Sequence, residues 1–208
     1  MDNTAKYGFR IHKSLYGDAM SHPEVMPVAT GYQASPGGTS VDLNIGDPIK
    51  RLSDGTAALC AAGDTLLYGI CVGVRPYWDG SKMVPYNKLP GGTAWGTVEE
   101  RRSDILVVGV DQCLWEVDAD DKTTATTLAG YRAFFGENAD HAFSADSTSK
   151  KANGRLDIST HGTATSQWRI IDVSGTVENQ DFSGLYVKLI VAPNEVATQR
   201  IWGGTTGV

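Results

Sequence analysis

Four histidines, three cysteines and a few carboxylate clusters are the residues whose chemistry could define a site in this chain. His12, His22, His141 and His161 are scattered through irregular sequence. To serve as metal ligands or triad members they would have to converge from distant segments, so each reads first as a loop histidine, exposed or hydrogen-bonded. Cys60, Cys71 and Cys113 sit inside apolar runs and lack CxxC or HxxxH spacing. They read as small core residues of a protein made under reducing conditions rather than zinc ligands. A Cys60–Cys71 disulfide would need adjacent strands.

The acidic run Asp118-Ala-Asp120-Asp121 suggests calcium, but an EF-hand loop needs Gly at its sixth position and Glu at its twelfth. Those places hold Thr123 and Ala129. Glu99-Glu100-Arg101-Arg102 reads as self-paired surface charge. No nucleophile elbow, phosphate-binding glycine loop or dinucleotide fingerprint occurs. The chain is therefore expected to be no enzyme and to need no cofactor. A β-sandwich hydrolase would require His141 or His161 to meet a carboxylate and a nucleophile in one cleft.

The remaining chemistry is contact chemistry. Trp115 and Trp168 fall within apolar strand patterns and read as core, whereas Trp78 and Trp95 stand in Gly- and Pro-rich sequence and suit an exposed contact. With 18 Lys+Arg against 24 Asp+Glu the formal charge is −6, which disfavours a nucleic-acid partner. The basic doublets Lys50-Arg51, Arg101-Arg102 and Lys150-Lys151 read as solvated edges. No run approaches the roughly 20 apolar residues of a membrane span. The start MDNTAKYGFRIHK lacks the apolar core of a secretion signal.

The elements that must position these residues are β. The stretch NIGDPIKRLSDGTAALCAAGDTLLYGICVGV, residues 44–74, shows short apolar runs punctuated by Gly46-Asp47-Pro48, Ser53-Asp54-Gly55 and Ala62-Gly63-Asp64. Such turns tolerate positive φ, so the stretch reads as a meander. Strands are expected at 41–45, 49–52, 56–60, 66–74, 105–110, 114–117, 167–173 and 185–192, with a break at Asp111-Gln112. One helical piece is expected over 123–135, where Leu128, Tyr131 and Phe135 share a face and Gly136 ends the run. The fold class is thus all-β, a mainly antiparallel β-barrel or sandwich, with at most one short helix.

Residues 1–38 read as an extended N-terminal arm: Pro23, Pro27, Pro36 and Gly37-Gly38 interrupt any period, while Tyr7, Phe9, Leu15, Tyr16 and Tyr32 make it adhesive. Residues 39–193 form the β-rich domain, with a hairpin-like insert at 75–98. Residues 144–154 read as a polar loop and 194–208 as a tail.

Several stretches, in order, resemble the head-decoration (cement) protein family of tailed bacteriophages. Tyr7-Gly8-Phe9-Arg10 is similar to that family's N-terminal opening. Gly46-Asp47-Pro48-Ile49-Lys50, Ala61-Ala62-Gly63-Asp64 and Tyr68-Gly69-Ile70-Cys71-Val72-Gly73 resemble its "GDPV…AAGD…GV-VG" core. VVGVDQCLWEV, residues 107–117, stands where the family has a hairpin, with Asp111-Gln112-Cys113 in place of Asp-Asp-Pro. Gly136-Glu137-Asn138-Ala139-Asp140 and Gly154-Arg155-Leu156-Asp157 continue the likeness through WRIIDV to YVKLIV.

The resemblance implies a non-enzymatic virion protein, made in the host cytoplasm, that binds the capsid exterior and stabilises capsomer contacts. Its partner would be the major capsid protein, and it would form a homo-oligomer, a trimer before a dimer. The expected contact residues are Tyr7, Phe9, Arg10, Tyr16, Trp78, Tyr86 and Trp95. Deletion of residues 2–22 is expected to spare the β-core. The alternative is a carbohydrate- or receptor-binding virion module stacking ligands on Trp78 and Trp95.

Overall fold

The computed structural model describes residues 8–15, 17, 23–28, 43–64, 67–78, 83–84, 88–89, 104–120, 124–143, 154–163, 166–176, 179, 181–183 and 186–194. Among the described residues fifteen strands carry the fold: β1 Arg10–Ser14, β2 Glu24–Pro27, β3 Leu43–Asn44, β4 Pro48–Arg51, β5 Ala57–Leu59, β6 Leu67–Val74, β7 Tyr77–Trp78, β8 Met83–Val84, β9 Lys88–Leu89, β10 Asp104–Gly109, β11 Cys113–Asp118, β12 Asn138–Phe143, β13 Gly154–Gly162, β14 Trp168–Val173 and β15 Lys188–Pro193. The helix α1 covers only Leu128–Arg132. The expected all-β class holds.

The strands make two main antiparallel sheets, one ordered β2-β10-β6-β4-β5 and the other β1-β11-β15-β14-β12-β13. β3 pairs with β9, and β7 with β8, as two short ribbons. Each main sheet curls until distant strands meet. Val28, just past β2, bridges Ala57 of β5, and Ala119, just past β11, bridges Leu156 of β13. The result is two small barrels, with β1 added outside the second one along β11.

Bulges supply the curvature. Opposite β4, Tyr68 is an extra residue between Leu67 and Gly69, and opposite β10, Val72 is extra between Cys71 and Gly73. Each bulge bends the strand and raises its twist, which a five-stranded sheet needs in order to close. Gly69 lies where β6 and β10 pass too closely for a side chain: a Cβ there would meet Val107 Cγ1 at 2.3 Å and Val108 O at 2.7 Å.

Two apolar clusters follow from this geometry. The smaller fills the first barrel with Met26, Leu43, Ile49, Ala57, Leu59, Tyr68, Cys71, Leu89, Ile105 and Val107. The larger fills the second with Trp115, Trp168, Tyr131, Leu156, Ile158, Ile170, Leu189 and Val191, and also takes Cys60, Leu67, Ile70 and Val108 from the first. β6 is therefore shared: Tyr68 and Cys71 face one core, Leu67 and Ile70 the other. Burial on both faces explains why LLYGICVGV reads as an unbroken apolar run rather than an alternating one.

The three anticipated turns form as their chemistry requires. Gly46, Gly55 and Gly63 all have positive φ, at 95°, 83° and 74°. Asp47 Oδ2 accepts from the backbone N–H of Asn44 at 2.7 Å, Asp54 Oδ1 from that of Thr56 at 2.9 Å, and Asp64 Oδ2 from that of Ala61 at 2.7 Å. In each turn the carboxylate engages a backbone donor two or three residues away. α1 is shorter than the expected 123–135 because Thr127 caps it, its Oγ1 accepting from Gly130 N at 3.1 Å. Gly136, at φ 87°, ends the turn that follows.

The arm is where the expectation needs correcting. Residues 10–14 and 24–27 are strands, one on each barrel. β1 pairs with β11 through Arg10↔Glu116, Ile11↔Trp115, Lys13↔Leu114 and Ser14↔Cys113, with His12 bulged out. Of the strand expected at 41–45, Leu43 and Asn44 form β3 and Ile45 lies exposed in the Gly46 turn, while 41–42 lie outside the described residues. β12 and β13 were not anticipated. Most of the loop expected at 144–154, and the tail expected at 194–208 beyond Asn194, lie outside the described residues.

Candidate partner-binding surface

Of the seven expected contact residues, Tyr7, Tyr16, Tyr86 and Trp95 lie outside the described residues. Trp78 belongs to the β7–β8 ribbon, paired with Met83. Phe9 and Arg10 are fully placed, the first buried and the second partly exposed.

Phe9 is 2% exposed. Its ring stacks on Trp168, with centroids 4.4 Å apart and planes at 24°, and meets His141 edge-on at 6.3 Å. Its N–H donates to Gly46 O at 2.9 Å, so the residue pins the start of β1 against the first barrel. Phe9 is a core residue, not a surface contact. The hydrophobic effect explains the difference: an aromatic ring packed on Trp168 and His141 gains more from burial there than from exposure to a partner.

Arg10 spans the first cross-strand position of β1. Its Nε donates to Glu116 Oε1 at 2.6 Å, and its Nη2 reaches the same oxygen. The second carboxylate oxygen, Oε2, accepts from Ser174 Oγ at 2.5 Å. Glu116 is 4% exposed, so Arg10 supplies a countercharge to a buried carboxylate while its own side chain stays 41% exposed. It can still present charge to a partner, but its first role is internal.

Beyond Arg10 the outer side of β1 is surface. His12 and Lys13 are exposed, and Leu15, which follows the strand, is one of the largest exposed apolar side chains among the described residues. Among the described residues β1 pairs with β11 alone, so that its far edge offers backbone donors and acceptors at the rim of the second barrel. The His12 bulge and the Lys13 charge guard such an edge against indiscriminate strand pairing. This edge, with the β7–β8 ribbon, is the candidate contact surface.

The histidines test the catalytic alternative. His141 is fully buried at the seam between the barrels. Its Nε2 donates to Cys60 O at 2.6 Å and its Nδ1 accepts from Trp168 Nε1 at 3.3 Å, which assigns the Nε2–H tautomer. Burial pushes its pKa down to about 4, against the opposing effect of the Cys60 carbonyl and of Asp140 and Asp64. Cys60 is beside it, but burial and then Asp64 push that thiol up to about 12. A neutral imidazole whose ring nitrogens are both engaged, next to a protonated thiol, is a structural joint rather than a nucleophile–base pair.

Gln167 completes the joint by donating from Nε2 to Ala61 O and Asp64 O, each at 2.8 Å. His161 does meet a carboxylate, with Nδ1 2.6 Å from Glu137 Oε2. That pair is capped by the Phe134 ring, 4.2 Å from the imidazole between centroids.

Cys60, Cys71 and Cys113 are buried free thiols, as expected from their apolar surroundings. Burial also raises Cys71, and raises Cys113 to about 11. Asp120 Oδ1 accepts from Ile158 N at 3.1 Å, and Asp118 is buried opposite Lys188. Both carboxylates thus serve the second barrel. Among the described residues no cluster of His, Cys, Asp and Glu could hold a metal ion, and no helix is long and apolar enough to cross a membrane.

Sequence reasoning missed the His141–Cys60–Gln167 seam altogether, since its members lie 81 and 107 positions apart. No family model, no curated protein and no solved structure matches this chain.

Proposed function

We propose that this chain is a non-enzymatic structural protein of a tailed-phage virion, bound to the outside of the head, where it stabilises contacts between capsomers. The supporting observation is the outer edge of β1. It puts His12, Lys13 and Leu15 on an exposed rim directly after the Phe9 anchor, in the segment whose Tyr7-Gly8-Phe9-Arg10 start resembles that of decoration proteins.

A rigid base with an exposed edge strand suits a cement. Phe9 and the Arg10–Glu116 pair fix the strand, so its outer edge loses little conformational entropy on docking. Many modest sites repeated over a lattice then add up through avidity. The partner in this reading is the major capsid protein, and a closed homo-oligomer, a trimer first, matches local symmetry on an icosahedral shell. The net charge of −6 fits a position outside the head, away from packaged DNA.

The test is add-back of purified protein to heads assembled without it, followed by sedimentation. Saturable binding at a fixed number per capsomer, together with raised resistance of the heads to heat, is the expected result. Absence of co-sedimentation at micromolar concentration would refute the reading.

A further inference from the structure

Arg155 is a charged side chain that the fold removes from water. It lies on β13 opposite Ala142 of β12, and the residue is only 7% exposed. Its strand neighbour Leu156 enters the large core, so the arginine leaves from the opposite face of the strand. There its Cζ sits over the Tyr186 ring, 4.6 Å from the centroid.

Two nitrogens of the guanidinium, Nε and Nη2, are buried and have no hydrogen-bond partner among the described residues. These two nitrogens carry the parallel pair of N–H bonds whose spacing matches the two oxygens of a carboxylate. A stacked ring alone does not offset the cost of desolvating a guanidinium, since a cation–π contact is worth much less than a buried charge costs.

Tyr186 strengthens the case independently. At φ 69° it is the one non-glycine residue with positive φ among those described. The conformation is held from both sides of the chain: Ala119 N donates to Val187 O at 2.8 Å, and Lys188 N donates to Asn179 Oδ1 at 2.8 Å. Strain of this kind persists where surrounding structure fixes a side chain in a required place. Here the place is against the guanidinium.

We propose that Arg155 and Tyr186 form a carboxylate-binding site. Arg155 Nε and Nη2 each donate to one oxygen of the incoming carboxylate, and the Tyr186 ring holds the plane of the fork. The inference does not depend on the virion reading: it rests on the burial and geometry of these two residues.

The experiment is side-chain NMR of the full-length 15N-labelled protein, following the Arg155 Nε–H resonance during titration. The probes are acetate, for a free carboxylate, and N-acetyl-glutamate amide, for one carried on a polypeptide, with chloride at equal ionic strength as control. The site predicts a saturable downfield shift and slower Nε–H exchange with at least one carboxylate probe, and no such change with chloride. Whichever probe saturates at the lower concentration identifies the source. Arg155→Lys, which keeps the charge and loses the fork, should weaken the response at least tenfold when read from the Tyr186 ring protons. Tyr186→Leu should weaken it in wild-type-like spectra. A resonance that no carboxylate probe moves would overturn the proposal. So would one already downfield and protected without any probe, because the chain's own carboxylate would then fill the fork.

Discussion

His141 Nε2 and the carbonyl oxygen of Cys60 lie 2.6 Å apart across the seam between the two barrels. The same imidazole accepts from Trp168, on which Phe9 stacks, so the N-terminal segment, the first barrel and the second meet around one neutral ring. That joint fixes how the exposed edge of β1 is presented.

Acid should loosen the joint. The folded pKa of His141, about 4, is below its ordinary value of 6.5. Between those values the unfolded chain binds the extra proton and the folded chain does not. The contribution of His141 is therefore intact above about pH 6.5, declines as pH falls, and levels off below about 4, for a total of about 3 kcal/mol. Denaturant unfolding at pH 7 and pH 4.5 should show this loss in the wild type and a flatter profile in His141→Leu. Identical slopes in the two proteins would contradict the assignment.

Phe9→Ala should cost about 3–5 kcal/mol, the range for an aromatic side chain removed from a core. Deletion of residues 2–22 should cost more, because it also removes β1 and the Arg10–Glu116 pair. Guanidinium unfolding of both variants measures the order. A deletion as stable as the wild type would restore the picture of a dispensable arm.

Arg10→Ala is expected to lower stability by about 1–3 kcal/mol, since it leaves the buried Glu116 carboxylate with Ser174 as its remaining side-chain donor among the described residues. The exposed double substitution His12→Ala/Lys13→Ala should leave the melting temperature within about 2 °C of wild type while weakening attachment to heads. The pair of experiments separates the inward role of Arg10 from the outward role of the β1 edge.

Gly69→Ala should be among the most damaging small substitutions. The added methyl would overlap Val107 and the backbone oxygen of Val108, both on the neighbouring strand. Backbone on one side and a core side chain on the other leave little room to relax, and a loss of about 1–3 kcal/mol follows. Thermal unfolding measures it, with Gly63→Ala, open in space but at positive φ, as the comparison.

The central part of the fold was legible in the sequence because its signals are local. Gly46, Gly55 and Gly63 announce their turns, and 66–74 announces a strand buried on both sides. β1 was not legible: the bulge puts His12 and Lys13 side by side on the surface and erases the period of two. β12 was hidden for a different reason, because its buried positions include the polar residues Asn138 and His141, and the imidazole meets its partner, Cys60, from 81 positions away. Phe9 shows the limit for the contact surface. An aromatic near the N-terminus reads equally well as a sticky arm or as a plug, and the stacking on Trp168, 159 positions away by number, decides for the plug.

The most direct measurement is the number of copies of this protein in purified virions, by quantitative mass spectrometry against the major capsid protein. The account predicts a ratio of one, or a simple fraction set by the lattice. A few copies per particle would contradict it in favour of a tail or receptor-binding part, and none would remove the protein from the virion altogether.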